Sequence, residues 1–407
     1  MIGSINILVT VSICLAVSFI FSEIFYRLRY PRVLGQILSG IILGTPLFGI
    51  LFSEQSAEAV QFLSQLGVVF LLLLTGMEIN LSMLKKSERD VLLIAVAAAV
   101  LPFLLGYFLG IWLSYSKIQS MILGGSLALT AEGTNLKVLL DMNLLNTKVG
   151  AIMLGAGITD DVFEIILLAS TLFLVNQAVT NLAVLPILIL LFILIVFVII
   201  QFVPKLITFI HYEHNAIVRF STMLVVALLI VSLSIIMGLG EMIGAFIAGL
   251  IIQISNHYKK EEHELVSELQ AVSFSLLVPF FFINIGLHFD FLSILQNLPL
   301  TVLVLLIGII GKVGGVFLVY PFTTLNVTQS WIVGWGMNSR GAMELVIIEI
   351  AREKALLTTE LYSAIVAMAV ITTLMFPFMM KWHLRRHPRL MSEKKQTFVK
   401  QRARHHM

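Results

Sequence analysis

Apolar runs of about twenty residues recur along almost the whole chain, and this pattern constrains its fold more than any other feature. A helix rises about 1.5 Å per residue, so a run of this length crosses the ~30 Å hydrocarbon core of a bilayer. Hydrophobic residues make up 59% of the 407 residues, and charged residues make up only 12%. Short alternating strands, which would indicate a barrel, are absent from the sequence. We therefore predict an all-α integral membrane protein.

Turn signals between the apolar runs predict thirteen transmembrane helices. They span residues 5–27, 32–50, 58–81, 90–114, 119–140, 148–175, 182–210, 216–238, 241–256, 270–289, 298–324, 329–351 and 358–381. The first run is too long for the apolar region of a signal peptide and lacks a cleavage site, so we expect it to be retained. Residues 1–381 would form the transmembrane domain, and residues 382–407 a short basic cytoplasmic tail.

Basic residues concentrate in the loops after odd-numbered helices and in the tail from Lys381 onward. The positive-inside rule places such loops in the cytoplasm, so the N-terminus is predicted outside and the C-terminus inside. We expect a multi-pass protein of the cytoplasmic (inner) membrane. The net charge of +3 is small, which does not suggest a nucleic-acid partner.

Two predicted helices are interrupted near their middles by polar, glycine-containing segments, at residues 129–135 and 334–341. Non-helical backbone at membrane depth is tolerated where it lines a cavity or is buried in protein. Each interruption falls in the middle helix of a triplet, 90–175 or 298–381. This correspondence predicts an inverted-repeat transporter with its site near the bilayer midplane. Glycine kinks that serve only helix packing are the alternative.

Two adjacent aspartates, Asp160 and Asp161, lie inside a predicted transmembrane helix, and Glu164 follows one turn later. An ionised side chain near the bilayer centre costs at least a few kcal/mol, so these acids indicate a functional site. Neighbouring carboxylates repel each other, which raises the proton affinity of at least one of them. A proton and a small hard cation would then compete for the same carboxylate, and Na⁺ and Li⁺ prefer oxygen ligands.

The candidate residues fall into two groups. Those predicted to bind the ion or the proton are Asp161, Asp160, Thr130, Glu132, Thr134 and Asn135, and those predicted to form coupling salt bridges are Lys312, Arg340 and Glu344. A lone ammonium in a membrane would shift toward its neutral form, so Lys312 requires a carboxylate partner, and one of the paired aspartates is the obvious candidate. Glu132 has three interpretations: it compensates helix dipoles or pairs with Arg340, it binds the ion directly, or the break is misplaced.

Four motifs carry a family resemblance: PRVLGQILSGIILG at 31–44, LTGME at 74–78, GAFIAGL at 244–250 and VPFFFINIGL at 278–287. They resemble the second branch of the monovalent cation/proton antiporter superfamily. The Asp-Asp pair with Lys312 resembles electrogenic sodium/proton antiporters, whereas potassium-efflux systems usually carry Gln-Asp. The resemblance implies that Asp161 carries the ion or proton and that Asp160 alternately pairs with Lys312. The chain departs from the family at Glu132, where a hydroxyl is common, and at Ala342, where an acid is common.

The resemblance further implies a moving core formed by helices 90–175 and 298–381. Helices 5–81 and 216–289 would form a scaffold and the interface of a homodimer, linked to the core by helix 182–210. The expected function is secondary active exchange of Na⁺ or Li⁺ for H⁺ by alternating access, with net movement of charge. A K⁺/H⁺ antiporter without a regulatory domain is the alternative.

Other classes of function fit the sequence poorly. An intramembrane aspartyl hydrolase would carry its two carboxylates on separate helices, whereas Asp160 and Asp161 are adjacent. Nucleotide-binding and metalloprotease motifs are absent from the sequence. We therefore expect no catalytic residues, no cofactor and no metal other than the transported cation.

Overall fold

The computed structural model describes residues 6–78, 89–131, 135, 138–139, 142, 144, 147–157, 159–160, 216–237, 240–254 and 262–386. Regular structure in these ranges is helical throughout, without a strand. Six helices in these ranges are long and apolar enough to cross a membrane: Ile7–Arg27, Glu54–Met77, Arg89–Trp112, Val266–Leu287, Leu298–Phe322 and Thr359–Arg386. The predicted helix 182–210 and most of the predicted helix 148–175 lie outside the described residues.

We number the α-helices in chain order. They are α1 (Ile7–Arg27), α2 (Arg32–Leu43), α3 (Glu54–Glu78), α4 (Arg89–Trp112), α5 (Lys117–Ala128), α6 (Lys148–Gly157), α7 (Ala216–Ile236), α8 (Glu241–Ile254), α9 (Glu262–Val272), α10 (Val278–Leu287), α11 (Phe291–Gln296), α12 (Leu298–Val319), α13 (Val327–Gly336), α14 (Ala342–Glu353) and α15 (Thr359–Arg386). One π-helical turn, Ser273–Leu277, joins α9 to α10, and short 3₁₀ helices span Pro46–Leu51 and Tyr320–Phe322.

The chain divides into two compact units. Unit 1 comprises Met1–Ile79 and Leu172–His288, and unit 2 comprises Asn80–Thr171 and Phe289–Met407. Within unit 1, an apolar cluster is built from side chains of α1, α2, α3 and α10. Within unit 2, apolar side chains of α4, α6, α12, α13 and α15 form a larger core. Each unit is therefore built from two separate stretches of the chain.

Glycines let the helices of unit 1 approach until their backbones touch. A Cβ atom placed on Gly40 of α2 would lie 2.1 Å from the carbonyl oxygen of Ile283 in α10. A Cβ atom on Gly286 of α10 would lie 2.2 Å from the carbonyl oxygen of Ile37 in α2. Because both distances are shorter than any real Cβ contact, only glycine allows this approach, which is typical of packing between membrane helices.

A second pair of glycines joins α3 to α8 in the same way. A Cβ atom on Gly249 would lie 2.1 Å from the carbonyl oxygen of Leu73, and one on Gly76 would lie 2.3 Å from that of Phe246. The motifs at 31–44, 74–78, 244–250 and 278–287 thus supply two of the close helix contacts in the described part of unit 1.

Several predicted boundaries differ from the structure; the last helix, for example, continues to Arg386, past the predicted end at residue 381. The predicted helix 32–50 ends at Leu43, because the residue before Pro46 is driven out of the helical region and a 3₁₀ helix follows. The charged segment expected to be a loop before residue 270 is helical from Glu262 onward, since Glu and Leu favour helix. The short helix α11 was not predicted, and the side chain of Asp290 caps its first turn.

Candidate functional site

Both predicted helix breaks are present, and each follows a short helix with a defined start. Ser116 and Gln119 form a capping box at the beginning of α5, and Asn326 and Gln329 form one at the beginning of α13. In a capping box the two side chains satisfy backbone N–H groups that the first helical turn leaves free. The helical path stops after Ala128 and after Gly336. In the second break it resumes at α14.

The two breaks lie against each other and satisfy part of each other's backbone. The Ala131 N–H donates to the Ser339 carbonyl oxygen at 2.9 Å, and the Ser339 hydroxyl lies 3.0 Å from the Ala131 carbonyl oxygen. The same hydroxyl lies 2.8 Å from Oδ1 of Asn135, and the Thr130 hydroxyl lies 3.3 Å from the Met337 carbonyl oxygen. Such pairing is what allows non-helical backbone to exist at membrane depth.

Two cationic side chains cap the carbonyl end of α5. Nη1 of Arg340 donates to the carbonyl oxygens of Ser126, Leu127 and Leu129 at 3.0, 2.9 and 2.7 Å. Nζ of Lys312 donates to the carbonyl oxygen of Ala128. The last carbonyls of a helix have no partner within the helix and carry its negative dipole end. Positive charge from α12 and from the second break therefore stabilises the first break.

Lys312 also contacts two side chains that were predicted for the site. Its Nζ lies 2.6 Å from the Thr130 hydroxyl oxygen and 3.3 Å from Oδ2 of Asp160. The Lys312 side chain is 0% exposed and that of Asp160 is 1% exposed. The ammonium group is therefore buried among a backbone carbonyl, a hydroxyl and a carboxylate, three kinds of oxygen that also bind monovalent cations.

Lys312 fits between helices because its neighbours are small. A Cβ atom on Gly311 would lie 2.6 Å from the Cβ atom of Pro102 in α4, and one on Gly315 would lie 2.5 Å from the Ala97 carbonyl oxygen. α12 and α4 consequently pack in close contact, and this contact fixes the position of the lysine within unit 2.

Asp160 keeps acceptor capacity that Lys312 does not use. Its Oδ1 atom is buried and accepts no hydrogen bond from any residue in the described part of the chain. Nδ2 of Asn135 is likewise buried without an acceptor among those residues. A buried carboxylate oxygen costs free energy unless a donor or a cation satisfies it. This arrangement suits a site that a proton or a cation occupies in turn.

Six of the nine predicted site residues lie in the described part of the chain, and the structure gathers them in unit 2. These are Thr130, Asn135, Asp160, Lys312, Arg340 and Glu344. Arg340 and Glu344 form an ion pair with Nε and Oε2 3.8 Å apart, and both side chains are 0% exposed. The other three predicted residues, Glu132, Thr134 and Asp161, lie outside the described residues, as does Glu164.

Sequence reasoning missed Ser339 and Thr373 as parts of the site. Besides the bonds of Ser339 described above, the Thr373 hydroxyl oxygen of α15 accepts a hydrogen bond from the Arg340 N–H at 3.2 Å. The same hydroxyl lies 3.2 Å from the Arg340 carbonyl oxygen. Ser339 lies within the predicted interruption, which was a usable signal. Thr373 is one of several hydroxyl residues in an apolar helix, and its sequence context did not distinguish it from the others.

A family model described as "Sodium/hydrogen exchanger, transmembrane" matches residues 11–386. The chain belongs to the sodium/hydrogen exchanger family. This places it in the monovalent cation/proton antiporter superfamily and makes it a membrane transporter that exchanges a cation for protons. The family resemblance drawn from the sequence motifs is thereby confirmed.

Curated relatives match this exchanger over most of its length. The Na(+)/H(+) antiporter of Enterococcus hirae is 29% identical over 367 residues, covering 89% of this chain and 94% of that protein. The Na(+)/H(+)-K(+) antiporter GerN of Bacillus cereus is 28% identical over 362 residues, covering 88% and 90%. The probable Na(+)/H(+) antiporter GerT of Bacillus cereus is 31% identical over 345 residues, covering 84% and 90%.

A solved structure shares the exchanger's fold. The sodium proton antiporter MjNhaP1 from Methanocaldococcus jannaschii aligns with a TM-score of 0.66 and 18% sequence identity, covering 92% of this chain and 95% of that one. The predicted all-helical membrane fold is therefore confirmed at the level of architecture.

Proposed function

We propose that this protein exchanges Na⁺ or Li⁺ for H⁺ across the cytoplasmic membrane by alternating access. The observation that carries the proposal is the burial of Lys312 against Asp160 where the two helix breaks meet. In the described part of the chain, oxygens of Ala128, Thr130 and Asp160 accept hydrogen bonds from Nζ of Lys312. Because a bare Na⁺ prefers the same oxygen donors, an entering cation competes with the ammonium for them. Asp161, the neighbour of Asp160, is proposed to bind the ion or proton directly.

Exchange by this route moves net charge. Burial disfavours the ammonium form of Lys312, and the charge of Asp160 offsets this cost. When a cation occupies the site, Lys312 and the aspartates release protons, and more than one proton leaves for each cation bound. This stoichiometry is the proposed basis of electrogenic exchange.

The two halves of the chain are proposed to be inverted repeats. The separation in sequence between the capping residues Ser116 and Asn326 equals that between Gly124 and Gly334. It also equals the separation between the close-contact residues Gly76 and Gly286 of unit 1. The predicted helix 182–210 lies between the halves, so the second half starts on the opposite side of the membrane. Inverted repeats of this kind allow a site to open to either side in turn.

Unit 2 is proposed to be the moving core, and unit 1 the scaffold that forms the homodimer. All six described site residues lie in unit 2. Core movement against a fixed scaffold would carry the site from one side to the other. The distribution of basic residues supports an outside N-terminus and a cytoplasmic C-terminus.

The direct test is Asp161→Asn in proteoliposomes. The substitution keeps the size of the side chain and removes its charge, so we expect Na⁺-driven pH change to disappear while the protein still elutes as a folded species. Glu23→Gln, at a partly exposed acid that pairs with Arg27, is the matched control and should exchange as wild type does. Exchange at the wild-type rate by Asp161→Asn would refute the assignment.

K⁺/H⁺ exchange is the second candidate, because the relative GerN is named as a Na(+)/H(+)-K(+) antiporter. The discriminating measurement compares ΔpH-driven exchange with Na⁺, Li⁺ and K⁺ in the same vesicles. We expect saturable exchange with Na⁺ and Li⁺ and little with K⁺. A preference for K⁺ would replace the proposed substrate and leave the site in place.

A further inference from the structure

Asn338 lies in the second helix break and carries a buried amide oxygen that the fold does not use. The residue is 0% exposed. Its Nδ2 atom donates to the carbonyl oxygen of Gly334, one turn back in α13, at 3.2 Å. Its Oδ1 atom is buried and accepts no hydrogen bond from any residue that the structure describes. A buried polar oxygen without a donor costs free energy, so the position of this oxygen calls for a partner of another kind.

Two contacts place Asn338 close to the lysine of the site. The carbonyl oxygen of the residue before it lies 3.3 Å from the Thr130 hydroxyl, and the oxygen of that hydroxyl lies 2.6 Å from Nζ of Lys312. On the other side, a Cβ atom on Gly334 would lie 3.2 Å from Cα of Val313, the residue that follows Lys312 in α12. Asn338 is thus joined on one side to a hydrogen-bond partner of Lys312, and on the other to the part of α12 that carries Lys312.

The neutral charge of Asn338 separates it from two acids of unit 2. Asp160 and Glu344 also have buried carboxylate oxygens that accept no hydrogen bond among the described residues. Each of these acids lies near a cationic side chain, Asp160 3.3 Å from Lys312 and Glu344 3.8 Å from Arg340. An ion pair cannot account for the oxygen of Asn338, because an amide has no charge. Side-chain amide oxygens are ordinary ligands of hard cations, and they add a ligand without adding charge.

We propose that Asn338 is a ligand of the transported cation, supplied by the second helix break. Its Oδ1 atom binds the cation together with the unused Oδ1 atom of Asp160 and the Thr130 hydroxyl. The bond from Nδ2 to Gly334 holds the amide in place, so that its oxygen is available to the ion. The cation is then bound by side chains from both halves of the chain. The inference rests on the proposed function, since it names a further ligand at that site.

The test compares two substitutions that separate the oxygen of Asn338 from its donor. A serine hydroxyl can donate to a carbonyl one turn back, as Ser126 and Ser330 do, so Asn338→Ser keeps a donor for α13 and removes the amide oxygen. Asn338→Asp keeps an oxygen at the position and loses the donor to Gly334. A cation ligand and a helix cap therefore predict opposite orders of damage for the two variants.

The first measurement is the apparent KM for Na⁺ in proteoliposomes. We expect Asn338→Ser to raise KM about tenfold, because one oxygen ligand is lost, and to leave kcat within about threefold of wild type. We expect the KM of Asn338→Asp to be no higher than that of wild type, since a carboxylate also binds the cation. An unchanged KM in Asn338→Ser overturns the inference. So does a KM in Asn338→Asp that is as high as in Asn338→Ser.

The second measurement follows binding without transport, as the rise in melting temperature that Na⁺ causes in detergent. A cation that binds only the folded protein stabilises it in proportion to its affinity and concentration. We expect Asn338→Ser to need about tenfold more Na⁺ than wild type for the same rise. If Asn338→Ser does not accumulate in the membrane, Asn338→Asp decides, because a need for more Na⁺ in that variant overturns the inference.

Asn297→Ser is the matched control. Nδ2 of Asn297 donates to the Ser293 carbonyl oxygen one turn back at 3.3 Å, so the substitution changes the same kind of bond at the end of α11, outside the proposed site. This control should match wild type in its KM and in its response to Na⁺. An equal change in Asn297→Ser and Asn338→Ser overturns the inference.

The two proposals fail in different ways. Continued exchange by Asp161→Asn would refute the proposed function whatever Asn338 does. Loss of exchange in Asp161→Asn, together with a wild-type KM in Asn338→Ser, would refute only the inference about Asn338. If wild type transports K⁺ in place of Na⁺, the same comparisons are made with K⁺.

Discussion

The Thr130 side chain contacts both Lys312 and the backbone of the second helix break. Its hydroxyl oxygen accepts from Lys312 at 2.6 Å, and the hydroxyl lies 3.3 Å from the Met337 carbonyl oxygen across the break. The residue is 4% exposed. A hydroxyl in this position offers a lone pair to whichever cation is present, the ammonium or the transported ion.

Thr130→Val removes that lone pair while keeping the shape of the side chain. We expect the apparent KM for Na⁺ to rise about tenfold, because one oxygen ligand and one hydrogen bond to a charged group are lost. Initial rates of exchange over a range of Na⁺ concentrations in proteoliposomes provide the measurement. Thr130→Ser keeps the hydroxyl and should stay within about threefold of wild type. A Val variant with wild-type KM would show that Thr130 is not a ligand.

At the residue scale, the sequence indicated which charges must pair but not which backbone groups they meet. The cost of burying an ammonium required a carboxylate near Lys312, and the structure places Asp160 there at 3.3 Å. Arg340 was predicted to form a salt bridge, and the structure pairs it with Glu344. Its three bonds to carbonyls of α5 were not predictable, because the path of a broken helix is not encoded in side-chain type.

At the scale of elements, the glycine contacts of unit 1 make a stability prediction. Gly286→Ala places a methyl group 2.2 Å from the Ile37 carbonyl oxygen, and backbone atoms on both sides prevent relief. Overpacking of this kind typically costs about 1–3 kcal/mol, so we expect a clear fall in the melting temperature in detergent. Gly49→Ala is the control, since a Cβ atom at Gly49 has no heavy atom within 4 Å. Equal melting temperatures for the two variants would contradict the packing argument.

Asp290, which caps α11, gives a prediction that depends on pH. The Ser293 hydroxyl and backbone N–H groups donate to its carboxylate and hold its pKa below the usual value of 3.8. Because the folded-state pKa is lowered, the stabilisation is present above pH 3.8 and is lost as the pH falls through the folded value. Asp290→Ala should lower stability by about 1 kcal/mol at neutral pH, and the difference from wild type should shrink at acidic pH. Thermal unfolding at several pH values in detergent measures this, and a pH-independent difference would argue against the carboxylate as the cap.

Element boundaries were predictable where composition changes abruptly and not where local chemistry decides. Both breaks were placed correctly, because glycines and polar residues interrupt an apolar run. The end of α2 depended on Pro46, and α11 depended on a single capping acid. Such short-range effects are weaker signals in a sequence than hydrophobicity. The predicted boundaries therefore followed the length of a transmembrane helix and missed the effects of single residues.

For the whole molecule, the interleaving of the two units bears on how transport is proposed to work. Each unit takes one stretch from each half of the chain, and the described site lies within unit 2. The pair Lys312 and Asp160 joins the two stretches of unit 2, since Asp160 belongs to the first half and Lys312 to the second. A change at this pair would therefore act on the packing of the two halves within the unit that is proposed to move.

Lys312→Gln tests whether that pair sets the charge carried in each cycle. Gln keeps hydrogen-bonding groups near Ala128 and Thr130 but has no proton to release, so exchange should continue with one proton fewer per cation. In wild-type proteoliposomes, exchange should be faster when the membrane potential is negative on the side toward which protons move, because net positive charge moves in the same direction. In the variant the rates at zero and at imposed potential should be equal. A variant that responds to the potential as wild type does would show that Lys312 does not determine the stoichiometry, and the source of the net charge would then lie with the aspartates alone.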